Sequence, residues 1–296
     1  MVLQIDNIDL TVKGRFPRII RLESEYFEWV EDPHRFIAEL KERCTEADLF
    51  TFVQKEIINT TPKFEFHYEM DSIAVLPITT YEDWWNNQIK TQERNRIRKA
   101  HKTDVEVRLV EFDHELMKKI KELYDESPIR QGKPFLYHKS SIEHLWKEHH
   151  SYLNRSQFIG AFYREQLIGF AKVVHDEGIS HIMKLISTIG HRDKAPTNAL
   201  LAKAVEISAE QGASHLVYST WCRRGLGAFK RNHAFVPVAV PRYYVPLNLR
   251  GELALRLGMH RNFRELLPPG WIDAAAECRD KWNRWRLASG KGEKKA

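Results

Sequence analysis

Lys230 is the residue around which chemistry in this chain can be arranged. It sits in GLGAFKRNHAF (225–235), after His215 to Thr220, a run whose Val217, Tyr218 and Thr220 suit a β-strand. Leu226, Phe229 and Phe235 can face a core while Lys230 points toward the strand's end. Open α/β sheets bind ligands beyond the carboxyl ends of their strands, and a lysine there suits an anionic ligand. Arg94 and Arg98 supply the other half of a phosphate grip, because a guanidinium meets phosphate through two parallel N–H groups. Arg130 lies in SPIRQGKPF (127–135), a Pro- and Gly-punctuated loop of the kind that carries substrate contacts. Tyr218 and Trp221 are read as pocket lining, with core packing as the plain alternative. For proton removal the expected carboxylates are Asp176 and Glu177, at a turn where such residues also occur for purely local reasons.

Other chemistries find little support. No GxSxG or Cys/His signature points to a covalent intermediate, so direct attack is favoured. Cys222 beside Arg223 and Arg224 reads as packing. Cys44, Cys222 and Cys278 lie far apart with no CxxC pair, which argues against a disulfide framework or a zinc ribbon. His144, Glu148, His149 and His150 show no established ligand spacing, so no metal is expected.

The elements that must position these residues follow from periodicity. Residues 158–187 alternate through FIGAFY, LIGFAKVVH and ISHIMKLIS with turns at REQ and DEG, a three-stranded antiparallel meander. Pro196 opens a helix and Gly212 closes it. The meander's last strand therefore reaches His215–Thr220 through a helix, which makes the two strands parallel neighbours. If they splay, their free backbone groups can hold the acyl arm of a donor by strand-like hydrogen bonds. Upstream, Tyr81 to Lys102 reads as one helix with Lys90, Arg94, Arg98 and Lys102 on a single face. Asp113–Asp125 and Ser140–Tyr152 read as amphipathic helices, and Pro33–Cys44 as another. Arg18–Leu22, Leu49–Gln54, Phe64–Tyr68 and Ile73–Pro77 read as short strands.

At 296 residues, with 43% hydrophobic and 29% charged positions, the chain is globular rather than disordered and long enough for two cores. The net charge of +6 is mild, but it is concentrated. Segment 90–102 has Lys90, Arg94, Arg96, Arg98, Lys99 and Lys102 against Glu93. Segment 279–296 has Arg279, Lys281, Arg284, Arg286, Lys291, Lys294 and Lys295 against Asp280 and Glu293. Such patches favour polyanions, although a solvated face would look the same. Trp271, Ala274, Ala275, Cys278, Trp282 and Trp285 fall at helical spacing, which suits docking on the body or peripheral contact with a membrane. No apolar stretch is long enough to span a bilayer, and Asp6 and Asp9 interrupt the start where a signal peptide would be apolar. A cytoplasmic protein is expected.

Three stretches carry a family likeness: RNRIRKAHKTDVEV (94–107), FIGAFYREQLIGFAKVV (158–174), and GLGAFKRNHAF with the later YYVPL (243–247). With the element order, they resemble the GNAT acyltransferase superfamily and more narrowly its Fem-type branch, the aminoacyl-tRNA-dependent peptidyltransferases and their relatives. The likeness covers roughly residues 80–250. It implies an α+β fold, a GNAT-like mixed sheet flanked by helices, with a degenerate N-terminal half in tandem. Expected boundaries are 1–103 for that half with its basic helix, 104–250 for the acyltransferase domain and 251–296 for a helical basic extension. Three departures matter. TIGHRDKAPTN precedes Pro196 where acetyl-CoA-binding members have a Gly-rich pyrophosphate loop, which argues against acetyl-CoA. Lys230 stands where the usual pattern has a proton-donating Tyr; Fem-type members carry FK there, and the resemblance implies contact with a substrate phosphate. Ala234 replaces the expected Gly.

The expected function is N-acyl or aminoacyl transfer to an amine, with a cell-envelope or polysaccharide precursor as acceptor. The donor is acyl-CoA, acyl carrier protein or aminoacyl-tRNA as co-substrate, with no permanently bound cofactor. Partners implied are a phosphate-bearing substrate and tRNA. The competing readings are a non-catalytic RNA-binding protein that uses the basic patches, and a silent scaffold.

Overall fold

The computed structural model describes residues 3–57, 60–130, 132–222, 225–261 and Trp282. Contacts group the described residues into two units, the first drawn from those within 3–74, 219–221 and 237–261, the second from those within 75–218, 222 and 225–236. The division does not follow sequence order, since the chain returns to the first unit after building the second. The architecture is α+β with mixed strand pairing and flanking helices.

The first unit opens with β1 (Leu3–Ile5), β2 (Ile8–Lys13), β3 (Ile19–Leu22), α1 (Pro33–Arg43) and β4 (Leu49–Val53), then enters β5 (His67–Pro77). Phe64–Tyr68 and Ile73–Pro77, expected as two strands, are joined in the one eleven-residue strand that begins at His67. Asp32 caps α1 by accepting from the Arg35 N–H, and Pro33 fills the first turn where no donor is needed. Phe36, Phe50, Phe52 and Tyr243 are buried with neighbouring rings 5.1–5.4 Å apart, and the Tyr243 hydroxyl donates to Gln54 at 2.8 Å. That bond satisfies the one polar atom which burying a tyrosine introduces.

The second unit contains α2 (Tyr81–Asp83), α3 (Thr91–Lys102), β6 (Val105–Val110), α4 (His114–Asp125), a two-stranded ribbon of β7 (Ile129–Arg130) and β8 (Lys133–Pro134), and α5 (Ile142–His150). Then come β9 (Ser156–Tyr163), β10 (Gln166–Asp176), β11 (Ile179–Ser187), α6 (Pro196–Glu210), β12 (His215–Thr220) and α7 (Gly225–Asn232). The chain leaves through β13 (Val236–Pro246), which pairs antiparallel to β4 in the first unit, and α8 (Leu249–Arg256). Strand order in the second unit is β12-β11-β10-β9-β6. The meander β9–β10–β11 is antiparallel throughout, and β12 runs parallel to β11 across the α6 connection. Leu116, Ile120, Leu123 and Leu145 from α4 and α5 pack with Phe158, Phe162 and Phe170 of the sheet. Gly169 on β10 admits α6, because a Cβ there would stand 3.0 Å from the Leu200 side chain.

The expected single helix 81–102 is interrupted. A π-turn, Trp84–Gln88, ends where Ile89 becomes extended at ψ 141°, and a new helix starts at Thr91 with Lys90 as its N-cap residue. Trp84, Ile89 and Ile97 are buried, so the break keeps apolar anchors on both sides in contact with the core. The tail helix expected around Trp271 and Trp285 lies outside the described residues, where Trp282 alone is seen and is exposed. No helix among the described residues is long and apolar enough to cross a membrane.

Candidate active site

β11 and β12 are hydrogen-bonded only through Ile179↔His215, Ser180↔Leu216 and His181↔Val217. β11 continues to Ser187, still paired with β10 along its other edge, but β12 no longer follows it. The two strands part immediately after Val217. Ser219, with φ 53°, takes a left-handed conformation uncommon for a residue in a strand, two residues after the last pair with β11.

The first carbonyl past the parting, that of Tyr218, accepts a hydrogen bond from Lys230 Nζ at 2.5 Å. The same ammonium lies 4.5 Å from the centre of the Tyr218 ring, and Lys230 is fully buried. Burial lowers its pKa, opposed by the nearby Cys222 thiol. Burial likewise raises the pKa of the Tyr218 phenol. Gly227 makes this geometry possible: a Cβ there would fall 1.7 Å from the Cys222 carbonyl oxygen, so only glycine lets α7 close on the strand end.

A buried polar knot fixes α7. Glu93 on α3 is fully buried and receives Arg96 Nη1 on both oxygens at 3.0 Å, Asn198 Nδ2 at 2.7 Å and Asn232 Nδ2 at 3.1 Å. His233 donates from Nδ1 to the Phe229 carbonyl and accepts at Nε2 from Asn198. This is the pattern of a neutral imidazole, and burial lowers its pKa accordingly. The Trp84 indole N–H closes the set on the His233 carbonyl at 3.1 Å. α3, α6 and α7 are thereby locked around Lys230.

The parted half of β11 carries a second charged group. Lys184 Nζ lies 2.8 Å from the Tyr137 hydroxyl and 3.0 Å from Glu148 Oε1, and Tyr137 donates to the same carboxylate oxygen at 2.7 Å. Burial would raise the Glu148 pKa, but hydrogen bonds from Tyr137 and Lys184 outweigh it and hold the carboxylate ionised. Burial opposes the Lys184 charge, and Tyr137 and Glu148 overcome it, so its pKa is raised. Both side chains keep contact with solvent, at 21% and 34% exposure, so a substrate can reach them. Sequence reasoning missed this trio. Glu148 drew notice only as part of a His-rich helix, and nothing in sequence spacing joins residues 137, 148 and 184.

The other expected site residues scatter. Asp176 and Glu177 sit at the β10–β11 turn, the zipped end of the β11–β12 pair. The parting begins about 10 Å further along β11, so parallel strands place these carboxylates at the wrong end. Asp176 is instead ion-paired with Arg155 at 2.9 Å. Arg94 grips the Trp85 and Asn86 carbonyls at 2.9 and 2.8 Å and Thr91 Oγ1 at 3.0 Å, closing the π-turn. Arg98 lies over the Trp85 ring at 5.6 Å and is exposed. Trp221 falls in the first unit, where its N–H donates to the Ser72 carbonyl. Arg130 clamps the end of β11, donating to the Ser187 carbonyl at 2.7 Å and the Leu123 carbonyl at 2.9 Å. Its partner Glu126 accepts from the Ile189 and Gly190 N–H groups at 2.7 and 2.8 Å. The loop leading to α6 therefore directs two backbone donors at an internal carboxylate.

The structure of FemX shares 12% identity, with 86% of this chain and 89% of that chain covered at a TM-score of 0.57. The C-terminal domain of a putative lysylphosphatidylglycerol synthetase from Agrobacterium fabrum shares 15%, covering 84% and 83% at 0.55. A tandem GNAT protein from the clavulanic acid biosynthesis pathway shares 11%, covering 83% and 82% at 0.50. The fold is the GNAT-like one that these structures share. No protein-family model matches the sequence, and no curated protein matches it. At these identities the likeness speaks for the fold alone.

Proposed function

We propose that the chain is an N-acyltransferase that passes an acyl or aminoacyl group to an amine by direct attack. The observation that carries this reading is the parting of β11 and β12 after Val217, with Lys230 bonded to the carbonyl of Tyr218, the next residue. An extended acyl arm can lie along the freed edge of β11 and take up its backbone groups. The acceptor amine attacks the acyl carbonyl, a C–N bond forms, and the bond to the donor's oxygen or sulfur breaks. Negative charge develops on the former carbonyl oxygen and then on the leaving atom. A buried ammonium at the strand end stabilises the first and, with its lowered pKa, protonates the second. The nitrogen of the tetrahedral adduct is strongly acidic, and Glu148, held ionised beside Lys184 of β11, is the carboxylate we assign to take its proton.

The donor we favour is not coenzyme A. Glu126 already occupies the two N–H groups of the loop before α6, and a second anion would meet its charge there. An aminoacyl-tRNA or acyl carrier protein fits that loop better, and a phosphate-bearing cell-envelope or polysaccharide precursor remains the proposed acceptor, in the cytoplasm. Thermal-shift measurement against coenzyme A thioesters, charged tRNA and nucleotide sugars tests this, since a ligand of the folded state raises its melting temperature. Stabilisation by a phosphate-bearing ligand is expected in the wild type and reduced in Lys230→Ala. Equal shifts in both proteins would remove Lys230 from the site.

One observation favours a second reading, RNA binding without catalysis. Lys90, Arg98, Lys99 and Lys102 form no ion pair among the described residues, so α3 presents unneutralised charge. A steeply salt-dependent affinity for RNA that Lys230→Ala leaves untouched, with no acyl transfer from any donor, would favour it.

A further inference from the structure

A group that the transferase chemistry does not use stands in the first unit. His67 and Glu69 alternate along β5, so their side chains leave the same face of the strand. His260, just past α8, meets them there. His260 Nε2 lies 2.9 Å from Glu69 Oε1 and His67 Nε2 lies 3.9 Å from the same oxygen. All three ligand atoms fall within 4.8 Å of one another. The two imidazole rings stand nearly perpendicular, at 80°, with centroids 5.4 Å apart. Bonds of about 2.0–2.2 Å in a tetrahedral zinc site set neighbouring ligand atoms about 3.3–3.5 Å apart, a spacing the two observed distances bracket.

We propose that His67 Nε2, Glu69 Oε1 and His260 Nε2 form a binding site for a divalent transition metal of the zinc class. Two imidazoles and one carboxylate are a donor set that such ions favour over magnesium or calcium. His260 is buried, with no hydrogen-bond partner at Nδ1, so its polar engagement is through Nε2 toward this cluster. His67 is 44% exposed, which leaves an entry path and an open fourth position for water. The bound ion clips the segment after α8 to β5, joining positions 191 residues apart. That separation is why no sequence spacing announced it.

Arg261 decides whether the site is loaded. Its Nε donates to Glu69 Oε1 at 2.6 Å, and its side chain is 47% exposed, so the guanidinium holds the oxygen the metal needs yet can swing into solvent. Metal and Arg261 compete for one carboxylate.

The test is titration of the full chain with Zn²⁺ by calorimetry, and with Co²⁺ by visible absorption, which reports low-symmetry coordination. One saturable equivalent is expected in the wild type. Affinity should fall at least about tenfold in His67→Ala, whose exposed position spares the fold, and in Glu69→Gln. Arg261→Ala should bind about tenfold more tightly, because the competing cation is gone. Absence of saturable binding in both wild type and Arg261→Ala overturns the proposal. So does binding that His67→Ala and Glu69→Gln leave unchanged, which would locate the ion at other histidines. Exposed His144 serves as the control: His144→Ala should bind as the wild type does.

Discussion

In the proposed reaction, Glu126 is the side chain that selects the class of donor. Its two oxygens take the Ile189 and Gly190 N–H groups, while Arg130 lies 3.3 Å away on the other side. Replacing it with the neutral, isosteric Gln removes the charge and keeps the volume. The expected outcome is that Glu126→Gln gains affinity for pyrophosphate and for coenzyme A, by about tenfold over a wild type that binds them poorly. Equilibrium dialysis with both ligands checks this, and unchanged affinity would mean the carboxylate is not what excludes them. The sequence made part of the site legible at this scale. The missing Gly-rich repeat before Pro196 was visible, and so was Lys230 after a strand. That an acidic residue 63 positions upstream fills the vacancy was not, because the capping carboxylate comes from the far end of α4. Asp176 and Glu177 misled for a related reason: alternation reveals a turn, but not at which end of a parallel pair it lies.

At the scale of elements, the α7–β13 junction carries a strain that can be relieved. Ala234 adopts φ 69°, in the left-handed region where a Cβ crowds the following carbonyl. The conformation is imposed, because Phe235 must return its N–H to the Lys230 carbonyl at 3.0 Å to seat its ring against Tyr218. Left-handed alanine costs about 1–2 kcal/mol, and glycine gives back about 0.5–1 kcal/mol through the greater freedom of its unfolded chain. Ala234→Gly is therefore expected to stabilise by about 0.5 kcal/mol, read as a higher urea midpoint with unchanged slope. A lower midpoint would show that the unfolded-state term dominates. Period-two alternation revealed the β9–β11 meander, and Pro196 with Gly212 framed α6, because each is a local signal. The break at Ile89 left no such signal. It contains neither Pro nor Gly and is held by Arg94 reaching back to two carbonyls, a tertiary event written into a segment with good helical periodicity.

The molecule as a whole is expected to lose stability in mild acid, through histidines rather than carboxylates. His149 is buried against the Tyr124 hydroxyl at 3.1 Å, and burial, with Lys184 and Lys172 nearby, pushes its pKa down to about 3. Burial lowers His181 to about 4, and lowers His175, His215 and His233 as well. The ordinary value is 6.5, so below that pH the unfolded chain takes up protons that the folded chain refuses. Stability is then fully present above pH 6.5 and falls as the pH drops, by roughly 1.4 kcal/mol per unit for each of His149 and His181, whose folded values lie well below that range. Glu69, Asp125 and Glu148 have lowered pKa values and also lose their contribution in acid, but only once the pH nears the ordinary carboxylate range around 4.5. The interval from pH 6.5 to 5 therefore belongs to histidine, which makes it diagnostic. Urea unfolding at half-unit steps across that interval should show a steep fall in the wild type. His149→Gln, which keeps a hydrogen-bonding group for Tyr124 but cannot titrate, should show a slope shallower by about 1.4 kcal/mol per unit at the lower end. An identical slope in the variant would mean that His149 opens to solvent and protonates without unfolding the chain.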